Sequence, residues 1–369
     1  MGRRLMKGNE AIAEGAILAG CRAYFGYPIT PQNEILEYMA RRMPQVGGVF
    51  LQTESELAAI SMVLGAAAGG HRTMTSTSSP GFSLQQEGIS YMVGSELPAV
   101  TVNVMRGGPG LGGILGSQAD YSQAVKGGGH GDYHLLVLAP ASVQEAMELT
   151  MLAFELADKY LNPVIILVDG YIGQVMEPVE LPAHAPPPPD KPWAITGAQG
   201  RPKNIIRSLR LQPEELEAHN LHLAEKFAAM QAAETRYQAA YLEDAEIVVV
   251  AYGSVSRVAQ TVVDNARRQG FPVGLLRPIT LWPFPSIPLE SLASRARAFL
   301  VAELSLGQMM EDVRLAVGRQ APVHLVRRLG GMPLSTEEIG QALAGIIQEM
   351  GVKSQKATAL SYSVGGAEA

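Results

Sequence analysis

One cysteine, Cys21, stands in 369 residues. That excludes an intrachain disulfide, and it excludes any iron–sulfur cluster held by this chain's own thiolates. No run of 18 apolar residues occurs, and the opening MGRRLMKGNE has no hydrophobic stretch. Neither a membrane span nor a secretory signal is legible, so a cytoplasmic location is expected. Charge of one sign is lacking too: 35 acidic and 29 basic residues are interspersed, for a net charge of −6. This argues against nucleic acid as a partner. Histidine is scarce at seven, and no His-Glu-x-x-His occurs. His219 and His222 lie three apart on an expected helix but lack a third ligand, and they read as a solvated face. No metal-ligand set is expected on this chain.

What is present is a hydrophobic fraction of 47% with 17% charged residues, enough for sizeable cores in two or three domains. Asn9 is placed to cap a helix to about residue 18, and a strand is expected over residues 22–27. Thr30 followed by Pro31 reads as a helix start, running to about residue 43. A buried strand is expected at Val49–Gln52, another over residues 73–76, and a hydroxyl-rich loop, TSTSSPGFS, after it. A helix over 82–93 and strands over 98–105, 135–138 and 164–168 follow. Ser142 with Glu145 forms a capping-box pattern opening a helix to about residue 159. Short apolar strands alternating with helices predict an α/β fold, a parallel sheet covered on both faces.

The segment PAHAPPPPDKPW is a proline-rich connector that can be neither helix nor central strand. Residues 213–242 read as one long helix linking two domains. EIVVVAY opens a second α/β unit, with further strands in PVGLLRPI, AFLVAEL and residues 323–326. A helix is expected near residues 308–318, and a Ser335/Glu338 capping box starts the last one. The expected division is residues 1–180, a linker and helix over 181–243, a second domain over 244–350, and a flexible tail over 351–369.

Residues 51–70, LQTESELAAISMVLGAAAGG, place Glu54 and Glu56 in the first turn of a helix that then carries no charge through residue 68. The helix macrodipole favours an anion there. A helix apolar all round is expected to be buried. Arg106 ends a β-branched strand beside glycines, where a guanidinium can bind a carboxylate with two parallel hydrogen bonds. An ion pair with Asp120 or Asp132 is the alternative. Thr30 lies at the carboxyl end of a strand, where open α/β sheets bind ligands, or it simply caps a turn. Residues 108–113 satisfy Gly-x-Gly-x-x-Gly, but no amphipathic helix follows to receive a pyrophosphate.

Glu56, Ala59 and Gly65 form Glu-x-x-Ala-x-x-x-x-x-Gly, which resembles the pyrimidine-binding helix of thiamine diphosphate enzymes; Glu54 lacks the glycine nine residues on. Together with Tyr27-Pro28-Ile29-Thr30-Pro31, QTESELAA, TSTSSPGF and Arg106-Gly107-Gly108-Pro109, the chain resembles the α subunit of the 2-oxoacid:ferredoxin oxidoreductases. ELSLGQ, from Glu303, extends the likeness to that family's second domain. The resemblance implies two doubly wound α/β domains, a thiamine diphosphate pyrimidine-binding domain and a transketolase C-terminal-like domain. It implies that Glu56 activates the cofactor, that Tyr27, Pro28 and Ile29 lie along the cofactor site, and that Thr30 and Arg106 hold the 2-oxo and carboxylate groups of the substrate.

No Gly-Asp-Gly with a downstream Asn is present, so the diphosphate and Mg²⁺ would sit on a β subunit, and the chain reads as half of an active site. An iron–sulfur subunit or ferredoxin, and a γ subunit, are the other implied partners. The implied reaction is coenzyme A-dependent oxidative decarboxylation of a 2-oxoacid to acyl-CoA and CO₂ with ferredoxin reduction. Residues 108–134 resemble branched-chain (2-oxoisovalerate) members most. A 2-oxoglutarate enzyme is the alternative and would want one more cation, for which Lys126 or Arg72 are candidates. A non-catalytic partner scaffold of the same fold and an autonomous dinucleotide-binding enzyme are the remaining readings.

Overall fold

The structure is a computed structural model that describes residues 3–182 and 187–351; residues 183–186 of the proline-rich connector and 352–369 of the expected tail lie outside the described residues. β1 (Arg3–Lys7), α1 (Gly8–Leu18), β2 (Ala23–Gly26), α2 (Asn33–Arg42) and β3 (Val49–Gln52) open the chain. α3 (Glu56–Ala68), β4 (Thr73–Thr77), α4 (Pro80–Gly94), β5 (Val100–Met105) and a short α5 (Tyr121–Val125) follow. β6 (Leu136–Leu138), α6 (Val143–Tyr160), β7 (Val164–Asp169), α7 (Gly170–Gln174) and β8 (Met176–Glu180) complete this part. After the connector come α8 (Pro213–Ala233), β9 (Tyr237–Ala240), β10 (Ile247–Val250), α9 (Gly253–Arg268), β11 (Val273–Pro278) and β12 (Thr280–Trp282). α10 (Ser286–Ala293), β13 (Ala298–Glu303), α11 (Gln308–Val317), β14 (Val323–Arg327) and α12 (Thr336–Glu349) end it.

The first sheet has the order β12-β6-β7-β5-β4-β2-β3 and is parallel except at β12. β4, β5 and β7 are buried at every residue, as parallel strands covered by helices on both faces must be. β3 is the edge, with Val49 57% exposed, so the strand expected to be buried there is not. The second sheet, β14-β13-β10-β11-β9, is parallel except for β9. β12 leaves its own half of the sequence and pairs antiparallel with β6, so the two domains share a sheet edge. β1 and β8 form a small antiparallel ribbon beside α1.

Several local expectations give way to tertiary contacts. Asn9 does not cap α1, which starts at Gly8; its buried amide donates to the carbonyl of Pro31 (2.7 Å) and to Glu34 (2.8 Å). Gln174 donates to the same Pro31 carbonyl (2.9 Å), so the backbone at Thr30–Pro31 serves those side chains, and α2 begins at Asn33. Ser142 does cap α6, accepting from Glu145 N, but Glu145 does not close the box: its carboxylate takes a bidentate pair from Arg277 (2.8 and 2.7 Å). α8 stops at Ala233, because β9 is needed to pair with β11. His219 and His222 do not face solvent alone; they meet Gly94 O (2.9 Å) and Glu96 (3.0 Å) and pin α8 to the end of α4. α3 is apolar all round in sequence yet buried on one side only, leaving Leu57 49% and Met62 37% exposed. Among the described residues nothing further covers that side.

The second domain docks through buried polar joints. Asp169, at the end of β7, accepts from Ile172 N (3.2 Å) and from Ser254 N (2.8 Å) at the start of α9. A Cβ at Gly253, which has φ +57°, would collide with the Asp169 carboxylate, so only glycine allows this approach. Burial pushes the Asp169 carboxyl above its ordinary range, and these backbone donors oppose the shift. Tyr121 donates to Asp312 (2.7 Å) and Gln118 to Tyr252 O (3.0 Å), closing the same joint. In Asp169→Asn an amide N–H must face one of the two backbone N–H groups. The full chain is expected to lose ~1–3 kcal/mol, read from urea midpoints; an unchanged midpoint would place the joint's stability elsewhere.

Candidate active site

The carboxyl edge of the first sheet gathers the loops after β2, β3, β4 and β5 into one crevice, where α/β sheets bind ligands. Ser55 caps α3 by accepting from Ala58 N (3.2 Å), which leaves Glu56 free of capping duty. Glu56 is 5% exposed, and among the described residues no donor reaches its carboxylate. A Cβ at Gly81 would strike both this carboxylate and Thr77 Oγ1. The glycine therefore keeps a cradle open between α3 and the start of α4. Thr77 Oγ1 and Ser78 Oγ, also buried, have no partner among the described residues. Glu54, the sequence competitor, is exposed.

Arg106 is 7% exposed. Its Nη1 donates to Thr30 O (2.9 Å) and its Nη2 to Leu111 O (3.1 Å), while Nε is buried without a partner. Thr30 and Arg106 are thus brought together, although by the threonine's backbone; among the described residues its side-chain oxygen accepts one long bond, from Asn33 (3.4 Å). The ion pairs with Asp120 or Asp132 are not formed. Asp120 instead accepts from Ser79 Oγ (2.6 Å) and Asn103 Nδ2 (2.9 Å). Burial pushes its carboxyl above the ordinary range, against those two donors and the nearby Arg106 charge.

Ser79 is the hub of this network and holds a strained φ of +21°. Its N–H donates to Asn103 Oδ1 (2.9 Å), and its Oγ accepts from Arg106 N (3.0 Å). Sequence reasoning did not single out Ser79, Asn103 or Gly81. The available signals were an asparagine inside an otherwise apolar strand, PAVTVNVM, and the hydroxyl density of TSTSSPGFS. Tyr27 and Pro28 are exposed and Ile29 is half-buried. Gln32 ties their loop through Tyr27 O (3.0 Å) and Ile29 O (3.0 Å), and among the described residues no hydrogen bond links the three to Glu56.

The loop with the Gly-x-Gly-x-x-Gly pattern folds back on itself, Gly107 N to Leu115 O (3.0 Å) and Gly113 N to Gly107 O (2.8 Å). The next helix, α5, has five residues, so no dinucleotide geometry results. Lys126 is ion-paired with Asp312, and Arg72 is buried against Asp158 (2.7 Å) and Ala19 O. Neither is a free cation. Among the described residues no group of three or more His, Cys, Asp or Glu could hold a metal, and no helix is long and apolar enough to cross a membrane.

Residues 14–240 match the family described as pyruvate flavodoxin/ferredoxin oxidoreductase, thiamine diphosphate-binding, and residues 245–339 match pyruvate:ferredoxin oxidoreductase core domain II. Ketoisovalerate oxidoreductase subunit VorB of Methanothermobacter marburgensis is 54% identical over 95% of this chain and 99% of its own length. 2-Oxoglutarate synthase subunit KorA of Methanocaldococcus jannaschii is 39% identical over 92% of this chain and 99% of its own. Among solved structures, a 2-oxoglutarate:ferredoxin oxidoreductase from Magnetococcus marinus superposes with a TM-score of 0.85 at 27% identity. That match covers 94% of this chain and 65% of the other. The two family matches in tandem, and relatives of this identity along nearly the whole length, place the chain among the 2-oxoacid:ferredoxin oxidoreductases.

Proposed function

We propose that this chain is the cofactor-activating α subunit of a coenzyme A-dependent oxidoreductase that decarboxylates a branched-chain 2-oxoacid such as 2-oxoisovalerate, passing electrons to ferredoxin. Glu56 carries the reading. A nearly buried carboxylate with no donor among the described residues, packed against Gly81 beside the unpartnered Thr77 hydroxyl, is an incomplete hydrogen-bond set. An aminopyrimidine, with ring nitrogens and an exocyclic amine, would complete it. Thiamine diphosphate supplies the electron sink for decarboxylation when bound. Glu56 would hold and move the proton at the pyrimidine ring. Arg106 would present Nε–H and its remaining Nη hydrogens to the substrate carboxylate, and Thr30 would lie at the 2-oxo group.

Partner subunits follow from what the chain lacks and exposes. The diphosphate and Mg²⁺ would be held by a β subunit, for which the open side of α3 (Leu57, Met62) and the edge strand β3 offer one exposed apolar surface. The iron–sulfur cluster would lie on that subunit, on a further one or on ferredoxin, since this chain has one cysteine, buried. The relatives are themselves named as subunits. The 2-oxoglutarate reading keeps the support of the 39% identical relative. Against it, both candidate cations, Lys126 and Arg72, are already engaged.

The reading is tested by purifying the chain with its partners from anaerobic cells and assaying coenzyme A-dependent viologen reduction across a panel of 2-oxoacids. A chain that purifies alone and inactive would favour the scaffold reading. In the assembled enzyme, Glu56→Gln should leave the subunits together and lower turnover at least ~100-fold, the scale of lost proton-transfer catalysis. Near-normal turnover would move the role to another residue. Arg106→Lys replaces a planar fork by a point charge and should raise KM for every 2-oxoacid about tenfold or more; an unchanged KM would remove Arg106 from the substrate site.

A further inference from the structure

We infer that the loop between Arg106 and Gly116 sets side-chain selectivity, with Ile114 and Leu115 meeting the substrate's branched aliphatic group. The inference rests on the 2-oxoacid reading above. Leu111, Ile114 and Leu115 are 83%, 59% and 58% exposed on a short glycine-rich loop. Leaving three large aliphatic side chains in water forgoes burial of roughly 1.5–3 kcal/mol each, which points to an apolar occupant. The loop is also well fixed. Its ends pair through Arg106 and Gly116, its inner turn closes at Gly113 N to Gly107 O, and Leu115 abuts Gly331, whose carbonyl is held by Tyr171 Oη (2.6 Å).

The same loop holds the guanidinium proposed for the substrate carboxylate, through Leu111 O to Arg106 Nη2 (3.1 Å). Carboxylate fork and aliphatic tip are therefore one unit, and fixing one fixes the other. Ile114 and Leu115 line a cavity of about 280 Å³ with Thr30, Asn33, Glu34 and Gln174. Among the described residues no lysine or arginine lines it. Its one charged side chain is Glu34, where burial works against ionisation but bonds from Lys7, Asn9 and Gln174 hold the carboxyl below its ordinary range. A dicarboxylic 2-oxoacid would find no unpaired cation among the described lining residues for its second charge, whereas an isopropyl or isobutyl group would meet Ile114, Leu115 and Pro31. A competing occupant of the loop is the surface of a partner subunit.

The test uses the assembled enzyme and kcat/KM for 2-oxoisovalerate, pyruvate and 2-oxoglutarate. Ile114→Ala is expected to lower the value for 2-oxoisovalerate about 10- to 100-fold, the range for lost methylene contacts, while pyruvate changes less than about threefold. Ile114→Lys is expected to shift the ratio further, toward 2-oxoglutarate, and Leu115→Ala supplies a second variant if a lysine at the tip prevents assembly. A wild-type enzyme that discriminates among the three acids, with ratios unmoved beyond about threefold in all variants, overturns the inference and leaves the functional reading standing. An equal fall for all three acids together with loss of partner subunits assigns the loop to an interface and overturns it as well. A wild-type assembly that turns over none of the acids removes the functional reading itself.

Discussion

A nearly buried carboxylate, Glu56, for which the described residues supply no donor, sets the terms for the rest of the molecule. A polar group that is largely buried with no protein donor leaves its hydrogen-bonding capacity to whatever enters the crevice. Glu56 is tolerated because α3 presents it at a helix N-terminus, where the macrodipole favours negative charge, and because Gly81 keeps a side chain from filling the space beside it. Ser55 takes over the capping bond that Glu56 might otherwise have made. The local sequence thus spends one hydroxyl on the helix end and reserves the carboxylate.

Around that carboxylate the sheet's carboxyl edge acts as a frame. Ser79, Asn103 and Asp120 tie the loops after β4 and β5 together, and Arg106 ties the loop after β5 to the one after β2. The strained backbone of Ser79 is over-determined by these bonds, which is the condition under which strain persists at functional sites. In the proposed function such a frame would preorganise donors before a substrate arrives, leaving little reorganisation for the reaction to supply.

The second domain contributes position. Asp169 receives the start of α9, Arg277 grips Glu145 on α6, and β12 extends the first sheet at its far edge. A half-buried ion pair such as Arg277–Glu145 is weak support for stability but a specific lock on geometry, because only one docking satisfies both its hydrogen bonds. Residues 330–331, from the second domain, then back the loop that carries Arg106.

The sequence alone determined the alternation of strand and helix, since short β-branched runs and 3.6-residue spacing are local properties. It marked Glu56 through a motif spacing, and Arg106 through its place at a strand end beside glycines. It also raised the expectation of partner subunits, because a single cysteine and the lack of a Gly-Asp-Gly with a downstream Asn are read directly from the residues. Tertiary structure decided the rest. Asn9 and Thr30 read locally as caps, yet Asn9 is drawn to Pro31 and Glu34 by contacts 22 and 25 residues away, and α2 starts at Asn33 instead. Whether α3 and β3 were covered depended on their place at the sheet edge, and β12 joined the first sheet by a pairing across well over a hundred residues. Lys126 and Arg72 looked available until Asp312 and Asp158 claimed them. Hydrogen bonds and ion pairs between distant segments have no period for a local pattern to reveal, so only the folded chain could assign them.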